Sequence, residues 1–316
     1  MLTIDVGSRN IKIINGGVAP KNISVRNQIL LDTPENAVAN GFVVDFERIV
    51  DVIHGALEEN NIREKKASCV ITSPDVIIRE IKLPKTNSKN LDMIVSNEME
   101  SFLADDNYSV QYFLQNQEDG VIKAYTFAAP TRVVEAYKKM LLTAGLIPVA
   151  LDIGANSIRK LVSWGNLLKQ QKEEQRMDIV ADIGYSFINF NIFERKTLVY
   201  SRCVRLEIDE EIKKHVDTLR ESSRTELELD VDFTSYLSKV GDEIQKVMQF
   251  LISSDFRERE AKLFLCGGAA NFSGVADLLR EYLNKDAYLI ESRRSPNFKS
   301  ESLKEFICAL GAQIRL

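Results

Sequence analysis

Cysteine and histidine are scarce in this chain, with four cysteines (Cys69, Cys203, Cys266, Cys308) and two histidines (His54, His215) among 316 residues. No CxxC spacing occurs, so neither a zinc site nor a disulfide framework is indicated, and a reduced, cytoplasmic setting is the natural reading. Positive charge is not in excess either. Lysine and arginine total 41 against 46 aspartates and glutamates, a net charge of −5 with a pI near 5.4. A chain of that balance lacks the positive field that non-specific binding to nucleic acid or an anionic membrane requires. No run approaches the ~20 consecutive apolar residues of a membrane span. The opening MLTIDVGSRN lacks a basic segment followed by an apolar one, so no signal peptide is expected. Seven prolines and no long polar tract leave no obvious linker. The nearest candidate, the charged run from Gln170 to Arg176, reads as a solvated loop or helix end.

What is present is an ordinary globular composition, 45% apolar and 28% charged, which excludes disorder and collagen-like structure. The length suits two domains of similar size or one bilobed unit. In the first half, Leu2–Val6 reads as a strand. A turn at Gly7-Ser8 follows, then a second strand through Ile11 and Ile13, and a turn at Gly16-Gly17. Phe46, Ile49, Val50, Ile53 and Leu57 recur at helical spacing. Strands are expected again at Ser68–Thr72 and Val76–Leu83. Beyond them come a helix carrying Leu91, Ile94, Val95, Met99 and Phe102, two short strands around Tyr112 and Ala124, and a helix from Arg132 to Leu142. The group of helix, two strands and helix looks like a small α/β insert.

The second half repeats the opening. Ile4-Asp5-Val6-Gly7-Ser8 returns 177 residues later as Ala181-Asp182-Ile183-Gly184-Tyr185-Ser186, each followed by an alternating strand. Each copy ends a buried strand in a carboxylate and turns on a glycine. Such a turn can aim backbone N–H groups and a hydroxyl at phosphate oxygens, while paired aspartates hold Mg²⁺ through water. A lone Asp-Val/Ile-Gly is usually just a strand-ending turn. A third copy, Leu151-Asp152-Ile153-Gly154, leads into helical spacing and reads as structural. Leu263-Phe264-Leu265-Cys266-Gly267-Gly268-Ala269-Ala270 is an apolar strand emptying into a Gly-Gly turn before a helix, where a base and ribose can approach backbone. It is neither a Walker A motif nor G-x-G-x-x-G.

Two Asp-Gly hairpins followed by strand, Gly-Gly and helix, in that order, resemble the actin-like ATPase superfamily. Within it, the stretches Pro34–Asp45, Val76–Pro84 and Asn97–Leu103 are similar to the family of the type IV pilus assembly protein PilM, a relative of the division protein FtsA. The resemblance implies an α/β, actin-like (ribonuclease H-like) bilobed fold with duplicated halves and a 1C-type insert. Its parts would be subdomain 1A at 1–84 and 147–174, 1C at 85–146, 2A at 175–210 and 259–316, and 2B at 211–258.

The resemblance also implies a nucleotide site. Asp5, Gly7, Ser8, Asn10 and Lys12 would form the first phosphate hairpin, and Asp182, Gly184 and Ser186 the second. Gly267, Gly268 and Ala269 would bound the adenosine, with ATP and Mg²⁺ as cofactors and Asp5 and Asp182 holding the metal through water. Lys12 reads almost equally well as an exposed strand lysine. Two departures bear on hydrolysis. Gly154 stands where actin relatives commonly carry a water-positioning acid or amide, with Asp152, two residues earlier, as the candidate substitute. Val204–Ile208 stands where PilM relatives often carry Gly-Gly and would crowd the nucleotide or change the entry to subdomain 2B. The expected function is therefore an assembly protein on the inner face of the cell membrane, with ATP as a structural ligand and at most weak hydrolysis. Its partners would be the cytoplasmic N-terminus of a PilN-like bitopic membrane protein and the pilus motor ATPases, without nucleic acid or direct membrane insertion. Arg79, Ile81 and Phe102 are the candidate peptide contacts. The alternatives are an actin-fold ATPase or small-molecule kinase with true turnover, for which no general base stands out, and a degenerate scaffold that binds no nucleotide.

Overall fold

The computed structural model describes residues 1–316 except 20–21, 85–87, 105–106, 119–120, 166–167, 169–175, 208–230, 254–259, 273, 291–299 and 316. Two five-stranded mixed sheets share one topology. In the first, β1 (Leu2–Val6), β2 (Asn10–Ala19) and β3 (Asn22–Asp32) form an antiparallel meander. On the other side of β1 lie the parallel strands β6 (Lys66–Ile71) and β10 (Ile147–Ile153). The second sheet repeats this with β11 (Arg176–Ile183), β12 (Phe187–Glu194) and β13 (Thr197–Arg205) as meander and β14 (Glu260–Cys266) and β15 (Ala287–Leu289) as parallel strands. A short hairpin, β4 (Val38–Ala39) and β5 (Phe42–Val43), follows β3. The repeat expected from the two Asp-Gly segments is thus a duplication of whole lobes.

Strand alternation decides what each face carries. Leu2, Ile4 and Val6 point to an outer core with α1 (Phe46–Glu59) and α3 (Thr131–Thr143), while Thr3 points inward and donates to Ala309 O at 2.7 Å. Met177, Ile179, Ala181 and Ile183 likewise enter the outer core of the second lobe, leaving Val180 on the inner face. The first helix starts where Asp45 caps it, its carboxylate accepting from Arg48 N at 3.2 Å. Between the two sheets lie α4 (Gly154–Gly165) and α7 (Ser300–Gly311), whose Ile158, Leu161, Val162, Phe306 and Ile307 pack with Val70 of one sheet and Val180 and Phe264 of the other. The outer face of the second sheet is covered by α5 (Val231–Ser253) and α6 (Val275–Leu283).

Several expectations need correction. Gly16 and Gly17 lie inside β2, at a register shift opposite Val25, because Gly16 N–H donates to Met1 O at 3.0 Å and keeps the strand going. Strand β7 (Ile77–Pro84) pairs along its length with β9 (Val121–Pro130), which also pairs with β8 (Tyr108–Glu118). It therefore belongs to a separate three-stranded sheet under α2 (Ser88–Glu100), apart from the first five-stranded sheet. Its two later strands are long, not short. Within the span 211–258, Tyr236, Leu237, Val240, Ile244 and Val247 of α5 share the core of the second sheet, so this helix is part of that lobe. Residues 211–230 and 254–258 of that span lie outside the described residues, as do 170–175 of the charged run.

Candidate functional site

The two Asp-Gly turns close with the same bond. Gly7 N–H donates to Asn10 O at 3.0 Å and Gly184 N–H to Phe187 O at 2.9 Å. Both hairpins share a register too, with Asp5 paired to Lys12 and Asp182 to Asn189. Because both aspartates have inward parity, they meet across one cleft lined by Asp5, Gly7, Ser8, Arg9, Asn10, Lys12, Thr72, Asp182, Gly184, Tyr185, Ser186, Asn189, Gly268, Glu305 and Cys308, among others. Lys12 Nζ lies 3.5 Å from Asp5 Oδ2, its side chain 15% exposed, which disposes of the exposed-lysine reading. Asp182 Oδ2 accepts from Asn189 Nδ2 at 3.4 Å and from Cys308 Sγ at 3.5 Å.

Burial alone would push the Lys12 ammonium down. Asp5, Asp182 and Glu305 around it outweigh that and hold it above its ordinary range. Burial lifts the Asp182 carboxyl above the usual carboxylate range, with Asp5 adding to the rise and Lys12 opposing it. Burial, reinforced by Asp182, also pushes the Cys308 thiol well up, so it is a neutral donor rather than a nucleophile. A carboxyl raised above its unfolded value of 3.8 destabilises the fold once pH exceeds that range. Asp182→Asn is accordingly expected to raise the melting temperature by a few degrees near neutral pH, the gain fading as pH falls toward 3.8. Paired thermal melts across that pH range check it.

The expected residues contribute unequally. Asn10 lines the cleft, but its amide nitrogen is held by β3, donating to Leu31 O at 3.3 Å and Asp32 Oδ1 at 3.2 Å. Gly268 lines the cleft, but the Ala269 methyl is buried in the outer core. Gly267 shapes the turn, at φ 91° and ψ 175°, and donates its N–H to Lys304 O at 2.8 Å. The contributions of Asn189, Thr72, Glu305 and Cys308 are new. Asn189 follows Asp182 by the seven positions that separate Lys12 from Asp5, so the hairpin register could have found it. Glu305 and Cys308 arrive on α7, far along the chain, where no local spacing points to them.

A side chain at position 154 would meet Thr72 Oγ1 at 2.7 Å and Cys308 Sγ at 3.5 Å, so those residues fill the room that an acid or amide there would need. Asp152 cannot substitute, because Lys160 Nζ holds its Oδ2 at 2.5 Å in the core. Leu206 does not crowd the cleft. Its side chain enters the outer core and its N–H donates to Ser186 O at 2.9 Å, while Arg205 donates to the Asn40 side chain. The cavity that remains is about 70 Å³. Small-molecule pockets usually measure about 300–1,000 Å³, so the cleft is narrow.

No curated protein matches the chain by sequence. Solved structures similar to it include the PilM-PilN type IV pilus biogenesis complex, with TM-score 0.80 and 20% identity over 99% of this chain and 97% of that one. The ethanolamine utilization protein EutJ of Carboxydothermus hydrogenoformans follows at 0.56 and 13%, over 99% and 88%. MreB 5 of Spiroplasma citri bound to AMPPNP gives 0.51 and 10%, over 99% and 94%. At such identities these likenesses establish the actin-like fold alone. The match of the family model for type IV pilus assembly protein PilM runs through both hairpins, the insert and the Gly-Gly strand, residues 3–310, and by it the chain belongs to the PilM family.

Proposed function

We propose that this chain is a nucleotide-binding assembly protein of the type IV pilus inner-membrane platform, with ATP as a structural ligand that it hydrolyses slowly or not at all. The observation that carries this is the pair of like-built Asp-Gly turns facing each other across one cleft, with Gly268 at its side. The glycine turns leave backbone room for phosphate oxygens. Asp5 and Asp182 would hold Mg²⁺ through water, and the metal would supply positive charge to the phosphates. The packed surroundings of Gly154 and the Lys160–Asp152 pair favour slow hydrolysis, since neither position presents a group to orient water.

Calorimetric titration with Mg-ATP tests the reading. Wild-type chain should bind, and Asp5→Ala should bind more weakly while keeping its fold. Turnover near ~10 s⁻¹, the enzyme median, would replace it with a true ATPase or kinase. The narrow cavity favours one second reading, a scaffold without nucleotide, and absence of any ATP heat would support that instead.

The same reading includes capture of a short cytoplasmic N-terminal peptide from a PilN-like membrane protein. Among the described residues no helix is long and apolar enough to cross a membrane, so attachment through a partner suits the chain. On the insert, Arg79 lies over the Phe102 ring at 5.3 Å, and Phe102 is 45% exposed. Ile81 is 6% exposed and fills the joint between β7 and α2, so a peptide would contact Arg79 and Phe102 rather than Ile81. Arg79→Ala and Phe102→Ala should each weaken such a peptide about tenfold if they anchor it, read by fluorescence titration. Unchanged affinity in both would place the peptide elsewhere.

A further inference from the structure

The two hairpins are duplicates in backbone but not in charge. Opposite Asp5 the register places Lys12, and opposite Asp182 it places Asn189, a neutral amide. The cleft floor thus gathers Asp5, Asp182 and Glu305 around one nearby ammonium. Arg9, the other cationic side chain among the described lining residues, is drawn onto Asp32 at 2.9 Å. The Lys12 backbone is paired on both sides, to β1 and to β3, which fixes the root of its side chain, and its ammonium sits 3.5 Å from Asp5 Oδ2. Asp182 has only neutral partners within hydrogen-bond reach, Asn189 and Cys308, among the described residues.

From this arrangement we infer that the Lys12 ammonium is the resident cation of the acid pair and excludes divalent metal from the nucleotide-free cleft, so that Mg²⁺ enters only together with phosphate. A fixed ammonium and a divalent ion compete for the same carboxylate field, and at a few ångströms their mutual repulsion is large inside protein. Without Lys12, the buried carboxylates face one another uncompensated. A hydrated divalent cation with oxygen ligands is then the natural replacement.

The test uses the full chain without nucleotide, so its outcome is separate from whether ATP binds. Thermal melts in chelator and in millimolar Mn²⁺ are combined with Mn²⁺ electron paramagnetic resonance. Wild-type chain should show no Mn²⁺-dependent shift and no bound ion, and Lys12→Arg should behave alike. Lys12→Met should melt lower in chelator, gain roughly 2 °C in Mn²⁺ at about ten times its dissociation constant, and lose that gain when Asp5→Asn is added. If Lys12→Met does not fold, Lys12→Gln serves in its place. Sub-millimolar Mn²⁺ binding by the wild-type chain, or no Mn²⁺ response in the lysine-free variant, overturns the inference.

Discussion

Replacing Lys160 by methionine should lower the unfolding free energy by about 3–5 kcal/mol, the usual cost of stripping one partner from a buried ion pair. Lys160 is 4% exposed on α4, its Nζ 2.5 Å from Asp152 Oδ2 and 2.8 Å from Ile314 O. Burial pushes this ammonium below its ordinary range, and Asp152 only partly opposes that, so the pair is held by its enclosure rather than by a solvated attraction. Methionine fills the same volume but leaves Asp152, among the described residues, with the Ile153 N–H at 2.9 Å and Asn156 Nδ2 at 2.8 Å as donors. It also removes one of the bonds that hold the 313–314 segment, Lys160 Nζ to Ile314 O. Gln313, just before the Ile314 carbonyl, donates to Met1 O, Thr3 Oγ1 and Ile14 O at 3.1, 3.0 and 3.2 Å. Urea unfolding should show the loss, and hydrogen exchange should speed at residues 311–315. Lys160→Met combined with Asp152→Leu should recover most of the stability, because an apolar pair of similar volume replaces a buried pair at little cost. A single-variant loss below about 1 kcal/mol would mean that water reaches the pair.

Gly267→Ala should remove the proposed nucleotide binding and cost about 3 kcal/mol or more of stability. At φ 91° and ψ 175° the residue occupies backbone space that is essentially reserved for glycine. An added Cβ would lie 2.4 Å from Ile183 O, 2.6 Å from Ile183 N and 2.6 Å from Asp182 Oδ1. Strand β11 is paired on both sides and cannot yield. Either the turn retreats and breaks its bond to Lys304 O, or Asp182 is pushed out of the acid pair. Gly17→Ala, where an added methyl meets nothing within 4 Å, is the control and should change stability by less than about 1 kcal/mol. Denaturation curves read the first effect and calorimetric ATP titration the second. Full binding by a folded Gly267→Ala chain would show that the Gly-Gly turn has no part in the site.

Local regularities carried much of this protein in its sequence. Period-two alternation in Leu2–Val6 and Asp178–Ile183 set which face each aspartate occupies, and the seven-residue hairpin spacing set what stands opposite it. Helical spacing in Phe46–Leu57 likewise located α1 and its buried face. These patterns are legible because neighbours in the chain are neighbours in the strand or helix, and backbone geometry fixes their relation. Tertiary structure alone decided the rest. It sent β7 to the small sheet, buried Ile81 under α2, and locked Asp152 onto Lys160 rather than leaving it for water. It also carried Glu305 and Cys308 to the cleft on α7 and bonded Arg205 to the distant Asn40. Each of these depends on how separate elements stack once their apolar faces close together, and no spacing along the chain encodes where a packed helix will bring its polar side chains.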